Sequence, residues 1–585
     1  MRKWLDRLAY FYRDKRYVAV LCLTAACSYG FLITHSTVGI DDTPYSYYFE
    51  EGLVAIVGRW VLFLLNKILR IADYAPFLTD LAGVLLLMMA VTVWCALFYS
   101  ILGETIPRWG YLFFGGIFLS CPLISEVYTY HLHNGISIGY LSCGISLCFF
   151  REGLEKAAVK SLEPQGHSEG KRLSFKGLRM WIPGFLGSAV FMWIAIGCYE
   201  SFMIVWLLGV FLVLLTMRFA GVRVKVFRSL LIAAMAAAAG MVLRSLMIAL
   251  VTKVFGLEYL RDDAVQRSVA EMAAWMTEPG ARAEFAMVLK RIFVMYGVFA
   301  YAYYPIRVFL LAAVAMTVMS IWQSIRRRDL WILFLTVGSF AVSFLLVIVE
   351  GKATLYRSAQ FLPVICGYGA LLFVYGVWDI TGKRAKRAAG QAVAAGQSRK
   401  TGGIKTVCRG TAVFLLFVIL WNQCMDMNRW FYVDYRKYEA AQNTARQIAQ
   451  ELQAGFDISK PVMFAGTYEV PYGVIEDAYI EYNSETFYRM KQITSLVDEH
   501  LLEKFYRPYG VWVAQTPSLS VIDWGRYAFD DNSELIRFFA MEGYELQPFP
   551  DIERYQEAEE YAKELPHFPA EGSIVDMGDY IIVHF

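Results

Sequence analysis

The sequence predicts a mainly α-helical, polytopic membrane protein of about eleven transmembrane helices, followed by a C-terminal extracytoplasmic α/β domain. Three observations predict this class. The 585 residues are 57% hydrophobic and 16% aromatic but only 18% charged, with a mean hydropathy of +0.42, whereas an ordinary soluble domain is charged at about one residue in four. Apolar runs of spanning length recur as far as residue 425, and the basic residues cluster in every second connection. Beyond Asp426 the chain turns hydrophilic for a length that suits one small domain. A net charge of +3 gives no footing for a nucleic-acid partner; the partner this composition implies is the lipid bilayer.

A bilayer core about 30 Å thick takes roughly 20 apolar residues as a helix. Such stretches fall near 17–36, 77–102, 109–125, 135–150, 182–198, 201–217, 229–255, 306–325, 330–349, 360–378 and 410–425. The first, Tyr17 to His35, is long enough to stay in the bilayer as an anchor, so no cleavable signal peptide is expected. Bases gather before it (Arg2, Lys3, Arg7, Arg13, Lys15, Arg16), from Arg151 to Arg179, at Arg218/Arg223/Lys225/Arg228, at Arg326-Arg327-Arg328, and from Lys383 to Arg409. The alternate connections, such as SEVYTYHLHNG and CYES, are nearly free of them. This bias predicts a multi-pass protein of the cell membrane with a cytoplasmic N-terminus and an external C-terminal domain.

Leu53 to Ala72 is apolar enough to span, but Arg59, Asn66, Lys67 and Arg70 interrupt it, and a span here would invert every later basic loop. It reads instead as an amphipathic helix lying at the outer interface, inside a first external loop covering 37–76. Residues 1–425 then form the membrane module and 426–585 the external domain. That domain opens with a polar helix, YRKYEAAQNTARQIAQELQ, and continues with a strand in PVMFAGTY. Helices in SELIRFFAMEG and DIERYQEAEEYAKEL follow, then a final hairpin, SIVDMGDYIIVHF, turning at Gly-Asp. The Ala-, Gly-, Lys- and Arg-rich stretch from Lys383 to Lys405 predicts a flexible loop near anionic headgroups. The ten cysteines end at Cys424, so no disulfide framework is expected in the tail. No pattern with metal-ligand spacing occurs; no cofactor is called for, and a divalent-metal requirement stays open.

The chemically informative feature is the acidic pair Asp41-Asp42 in HSTVGIDDTPYSYY, just past the first span. A carboxylate at the membrane surface is where a lipid-dependent transferase would keep its base, and two adjacent carboxylates repel, which raises one pKa toward the working range. The competing reading is a solvated turn before Thr43-Pro44. The stretch GIDDTPYSYYFEEGLVAIVGRWVLFLLNKIL resembles the bacterial O-antigen glucosyltransferase type II family, within the GT-C superfamily of membrane glycosyltransferases. The likeness covers roughly the first 425 residues and is specific around Asp41-Asp42 and Gly58-Arg59-Trp60. It implies a GT-C-like fold and transfer of a sugar, glucose in the family's usual case. The donor would be a polyprenyl-phosphate carrier, and the acceptor a cell-surface glycan on the extracytoplasmic face.

Such a reaction needs a base for the acceptor hydroxyl and cations for the leaving phosphate. Asp42, or Asp41 beside it, is the candidate base. Arg244 interrupts LIAAMAAAAGMVLRSLMIALV; an arginine at a helix centre costs about 2.5–3.5 kcal/mol, so it should face a phosphate or a structural partner. Arg357 and Lys352 in VEGKATLYRSAQFLP sit at the depth of a lipid phosphate or of ordinary headgroups, and Arg59 is placed to serve in the same way. Glu200, Glu126, His131 and His133 are candidates for acceptor binding or auxiliary roles, against the plainer reading of loop residues. Glu258 to Arg291 is long enough to cover the donor site. Two rival functions are a surface-polysaccharide polymerase or ligase, which works with a large late loop, and a lipid-linked glycan flippase. The flippase predicts matched broken helices in two halves, and the sequence shows none.

Overall fold

Hydrocarbon offers no water to a backbone amide, and the chain answers with helices almost throughout. The computed structural model describes residues 2–37, 53–70, 75–128, 133–160, 175–257, 274–293, 304–350, 358–395, 401–466, 533–549 and 552–585. In order the helices are α1 (Arg2–Arg13), α2 (Lys15–Thr34), α3 (Leu53–Ile56), α4 (Trp60–Leu69), α5 (Pro76–Leu102), α6 (Arg108–Leu119), α7 (Leu123–Tyr128), α8 (His133–Lys160), α9 (Phe175–Cys198) and α10 (Phe202–Phe219). They continue with α11 (Val226–Phe255), α12 (Ala281–Phe293), α13 (Tyr304–Arg327), α14 (Trp331–Ser343), α15 (Leu345–Glu350), α16 (Leu362–Ala395) and α17 (Thr401–Gly455), and α18 (Ser533–Met541) and α19 (Ile552–Ala562) follow in the tail. All eleven apolar stretches fall on helices. Among the described residues, seven helices (α2, α5, α10, α11, α13, α16, α17) are long and apolar enough to cross a membrane.

Three expectations change. Leu53 to Ala72 is not one helix: it breaks at Gly58 into α3 and α4, and the ten residues of α4, about 15 Å long, are too short to span. The loop expected from Lys383 is helical as far as Ala395, because KRAKRAAGQAVAA is dominated by strong helix formers. The boundary expected near residue 426 lies inside α17, a single helix of 55 residues, about 80 Å long. No Gly or Pro occurs between 411 and 454, so nothing stops the helix as it passes from apolar to polar sequence.

Helix α10 is buried on nearly every face, with Trp206, Leu208, Val210 and Leu212 to Leu215 all inside. It forms the centre of the bundle, against α5, α8, α9, α11 and α14. Buried polar side chains tie neighbouring helices together. Tyr29 Oη donates to the Leu119 carbonyl at 2.7 Å, Trp94 Nε1 to the Tyr140 carbonyl at 3.0 Å, and Trp206 Nε1 to Ser146 Oγ at 2.6 Å. The outward faces are apolar: Leu231, Met235, Leu246 and Leu250 of α11, and Phe414, Phe417 and Trp421 of α17, are exposed, as a lipid-facing surface requires. Glycines set the closest approaches. A Cβ on Gly369 of α16 would lie 2.5 Å from Ala312 Cα of α13, and one on Gly367 would lie 2.9 Å from the Phe114 carbonyl of α6.

At the end of the bundle where α2 begins, ion pairs tie the basic connections: Arg108 to Asp14 at 3.3 Å, Arg218 to Asp329 at 2.9 Å, and Arg326 to Asp379 at 2.9 Å. The opposite end is the first-loop end.

The tail contains β1 (Pro461–Ala465), β2 (Gln547–Pro548), β3 (Ile574–Asp576) and β4 (Ile581–His584), in the order β2-β1-β4-β3. β1 runs parallel to β2 and β4, and β3–β4 is the expected antiparallel hairpin. Alternation along β1 and β4 feeds two apolar layers. Val462, Phe464, Ile581 and Val583 pack with Ala441, Ala445, Ile448 and Leu452 of α17 and with Phe538 and Phe539 of α18. Met463, Ala465 and Ile582 pack with Tyr555, Ala558 and Ala562 of α19. Lys460 Nζ lies 2.6 Å from Asp576 and holds that carboxyl below its usual range; Arg554 does the same for Asp579 from 2.8 Å.

Two outcomes follow from these contacts. Gly369→Val drives α13 and α16 apart and should cost about 1–3 kcal/mol, read as a lowered thermal midpoint of the purified protein. Carboxyls with depressed pKa stabilise the fold above their unfolded value and lose that effect as pH falls through the folded one. Protection factors at residues 574–584, with the intrinsic pH dependence of exchange divided out, should therefore fall as the pH drops below about 3.9, and Lys460→Met should weaken that dependence.

Candidate functional site

Of the sequence candidates, Asp41, Asp42, His131, Lys352 and Arg357 lie outside the described residues, as does Arg261-Asp262-Asp263 of the expected cover. Glu126 lies on α7 and His133 begins α8, both at the first-loop end, but their side chains are not among those described. The remaining three, Arg59, Glu200 and Arg244, converge.

The convergence starts from a helix stop. Gly58 N–H donates to the Ala55 carbonyl at 3.0 Å and Arg59 N–H to the Val54 carbonyl at 2.9 Å, the paired bonds of a Schellman cap, with Gly58 in the left-handed region at φ +96°. Arg244 of α11 reaches this turn. Its Nη2 donates to Glu200 Oε1 at 2.6 Å and approaches the Val57 carbonyl at 3.5 Å. A Cβ on residue 58 would lie 1.7 Å from that Nη2. The positive φ calls for glycine here, and a side chain would also displace the guanidinium tip of Arg244.

The contact also sets the depth of Arg244. Glu200 sits in the turn just before α10, an 18-residue helix about 27 Å long, close to a bilayer core. Arg244 is therefore level with the first-loop end of α10, and about three further turns of α11 run beyond it. Arg244, central in its apolar run, thus lies level with the end of α10 and not with its middle.

Arg59 lies beside this pair with its Cζ 5.0 Å from the ring centre of Tyr199, a cation–π contact, and it has no ion-pair partner among the described residues. Trp60 stacks on Trp193 at 4.6 Å; Gly197 makes room, since a Cβ there would lie 2.3 Å from Trp60 Nε1. Four buried nitrogens of this corner (Arg59 Nε, Arg244 Nε, Trp60 Nε1, Trp193 Nε1) lack a hydrogen-bond partner among the described residues. All four are donors. Among the described residues the corner holds two guanidiniums and the one carboxylate of Glu200, and buried donors without acceptors there are the arrangement that suits an anion. The Arg244–Glu200 pair is not primarily a stability element: the Glu200 side chain is 47% exposed, and such pairs contribute about 0–1 kcal/mol.

Two acids escaped the sequence reading. Asp80 is buried one turn into α5, near Tyr128, whose Oη donates to the Gly83 carbonyl at 3.1 Å and pairs with Ser137 Oγ. A lone acid opening the run DLAGVLLLMM was its available signal. Asp434, on α17, accepts from Thr37 Oγ1 at 2.7 Å; the two are 397 positions apart, and no local pattern announces the pair. No group of three or more His, Cys, Asp or Glu side chains arranged for a metal occurs among the described residues.

Residues 30–374, well over half of the chain, match the family described as Glucosyl transferase GtrII. The matched region contains Gly58, Arg59, Glu200 and Arg244. No curated protein and no solved structure matches the chain.

The geometry separates two variants. Gly58→Ala strains the turn and displaces Arg244, and should cost about 1–3 kcal/mol. Glu200→Gln should cost less than about 1 kcal/mol. Thermal unfolding of the purified proteins compares them directly.

Proposed function

The chain belongs to the GtrII family of glucosyl transferases, and from that premise we propose that it moves glucose from a polyprenyl-phosphate donor to a cell-surface glycan on the extracytoplasmic face. The observation that carries the donor assignment is the donor-rich corner of Arg59 and Arg244 at the boundary of the bundle. A lipid phosphate rests at this depth while its prenyl chain lies in hydrocarbon, alongside the exposed apolar face of α11. In this reading all eleven helical stretches cross the membrane, the N-terminal end is cytoplasmic, and residues 426–585 form a body outside.

The chemistry follows from charge. An acceptor hydroxyl oxygen attacks C1 of the sugar, the bond from C1 to the phosphate oxygen breaks, and its electron pair stays on the phosphate. Asp42, or Asp41 beside it, takes the hydroxyl proton, since that hydroxyl becomes acidic only as the new bond forms. The donor is a phosphodiester with one negative charge, and the leaving polyprenyl phosphate gains a second. Arg244 and Arg59, with Arg357 and Lys352 as further candidates, therefore hold the transition state more tightly than the bound donor, which is the condition for raising the rate. Glu200 keeps the Arg244 fork pointed at the Gly58 turn. Glu126, His131 and His133 are the candidates to meet the acceptor. No step here draws on a metal ion.

Single-turnover transfer from polyprenyl-phosphate-glucose to cell-envelope glycan, by purified protein, tests the proposal. Either Asp41→Asn or Asp42→Asn should lower the rate by about 10²–10⁴-fold, with the fold intact. Arg244→Gln should lower it by about 10–100-fold, as loss of a charge-assisted hydrogen bond predicts. Undiminished transfer by both aspartate variants would remove the acidic pair from the mechanism.

A further inference from the structure

The helix that carries the tail also grips the root of the first loop. Along its middle turns α17 lies against α2: Asn428 Nδ2 donates to the Cys27 carbonyl at 3.1 Å, Phe31 meets Tyr432 and Tyr435 edge-on at 5.8 Å, and His35 meets Tyr435 edge-on at 5.0 Å. The series ends at Thr37, whose hydroxyl donates to Asp434 Oδ2 at 2.7 Å. Both residues are inside, Thr37 at 4% and Asp434 at 2% exposure. Thr37 is the last described residue before the loop that carries Asp41-Asp42, and no more than about 18 Å of extended chain separates it from the pair.

We propose that Asp434 is a positioning residue: through its bond to Thr37 it fixes where the acidic loop leaves the bundle, and so where the acidic pair can stand. This rests on the transferase reading above. A carboxylate is an expensive choice for a buried contact between two helices, because an apolar pair of the same volume would pack there at lower cost. The bond it makes to the loop root is one of the interactions that offset its desolvation. A few turns further on, the same helix supplies Ala441, Ala445, Ile448 and Leu452 to the core beneath the tail's sheet. One uninterrupted helix therefore joins the loop root to that core.

The test uses the full chain with Thr37→Val, Asp434→Ala, their combination, and Asp434→Asn, whose amide oxygen still accepts from Thr37. Hydrogen exchange across residues 38–52 needs no donor and no reaction. It should quicken by about tenfold in each single variant, as expected when one buried bond to a charged group is lost, with no change at residues 440–452. The double variant should be no faster than either single one, and Asp434→Asn should stay near wild type. In single-turnover transfer the same variants should lower the rate constant by a similar factor, about tenfold, and leave the donor concentration for half-maximal rate unchanged. Unaltered exchange at 38–52, additive effects in the double variant, or equal acceleration at 440–452 would each overturn the proposal. A wild-type chain that transfers no glucose would sink the transferase reading instead, and the exchange arm would still decide whether Asp434 holds the loop.

Discussion

In hydrocarbon an unmade backbone hydrogen bond costs several kcal/mol, because no water is present to replace the missing partner. Everything in the bundle answers to that constraint. The chain runs as helices, and the helices meet through glycines such as Gly367 and Gly369, which let backbones touch. Polar side chains inside the bundle bond to carbonyls of neighbouring helices, as Tyr29 and Trp94 do. Charge is pushed to the ends. At one end it is neutralised in pairs such as Arg218–Asp329; at the other Arg244 pairs with Glu200 while Arg59 has no ion-pair partner among the described residues, and there the candidate site lies.

That asymmetry gives the site its chemical character. The three ion pairs at the N-terminal end match each base with one acid. At the first-loop end Arg244 shares one exposed carboxylate, and Arg59 leans on an aromatic ring. The backbone break at Gly58 brings them together, since without it α3 and α4 would run on as one helix and close the space that Arg244 occupies. The broken helix, packed against α9 and α11, builds this corner from few residues. The tail is joined to the same bundle through α17, which packs on α2 and also supplies the core beneath the sheet.

Much of this was legible in the sequence because it depends on local pattern. Hydropathy located the helices, the Gly-Asp turn located the β3–β4 hairpin, and Gly58-Arg59-Trp60 stood out as the specific part of the family likeness. Helix ends were misjudged where stop signals are weak, so α16 runs on to Ala395 and α17 passes through residue 426 without a break. An apolar run also does not reveal that α11 runs about three turns past Arg244, or that this arginine lies level with the end of α10. Partners distant in sequence were legible only in part: a structural partner was expected for Arg244 but not identified as Glu200, and no pattern pointed to Asp434 beside Thr37.

The central claim is that the corner formed by α3, α4 and α11 receives the phosphate of a lipid-linked sugar. Photo-crosslinking the full chain with a polyprenyl-phosphate-glucose carrying a photoreactive group next to the phosphate, then mapping the adducts by peptide mass, tests it most directly. The account predicts adducts within residues 54–63 and 244–252, displaced by unlabelled donor and lost in Arg244→Gln. Adducts confined to the N-terminal end of the bundle, or unchanged in Arg244→Gln, would contradict it.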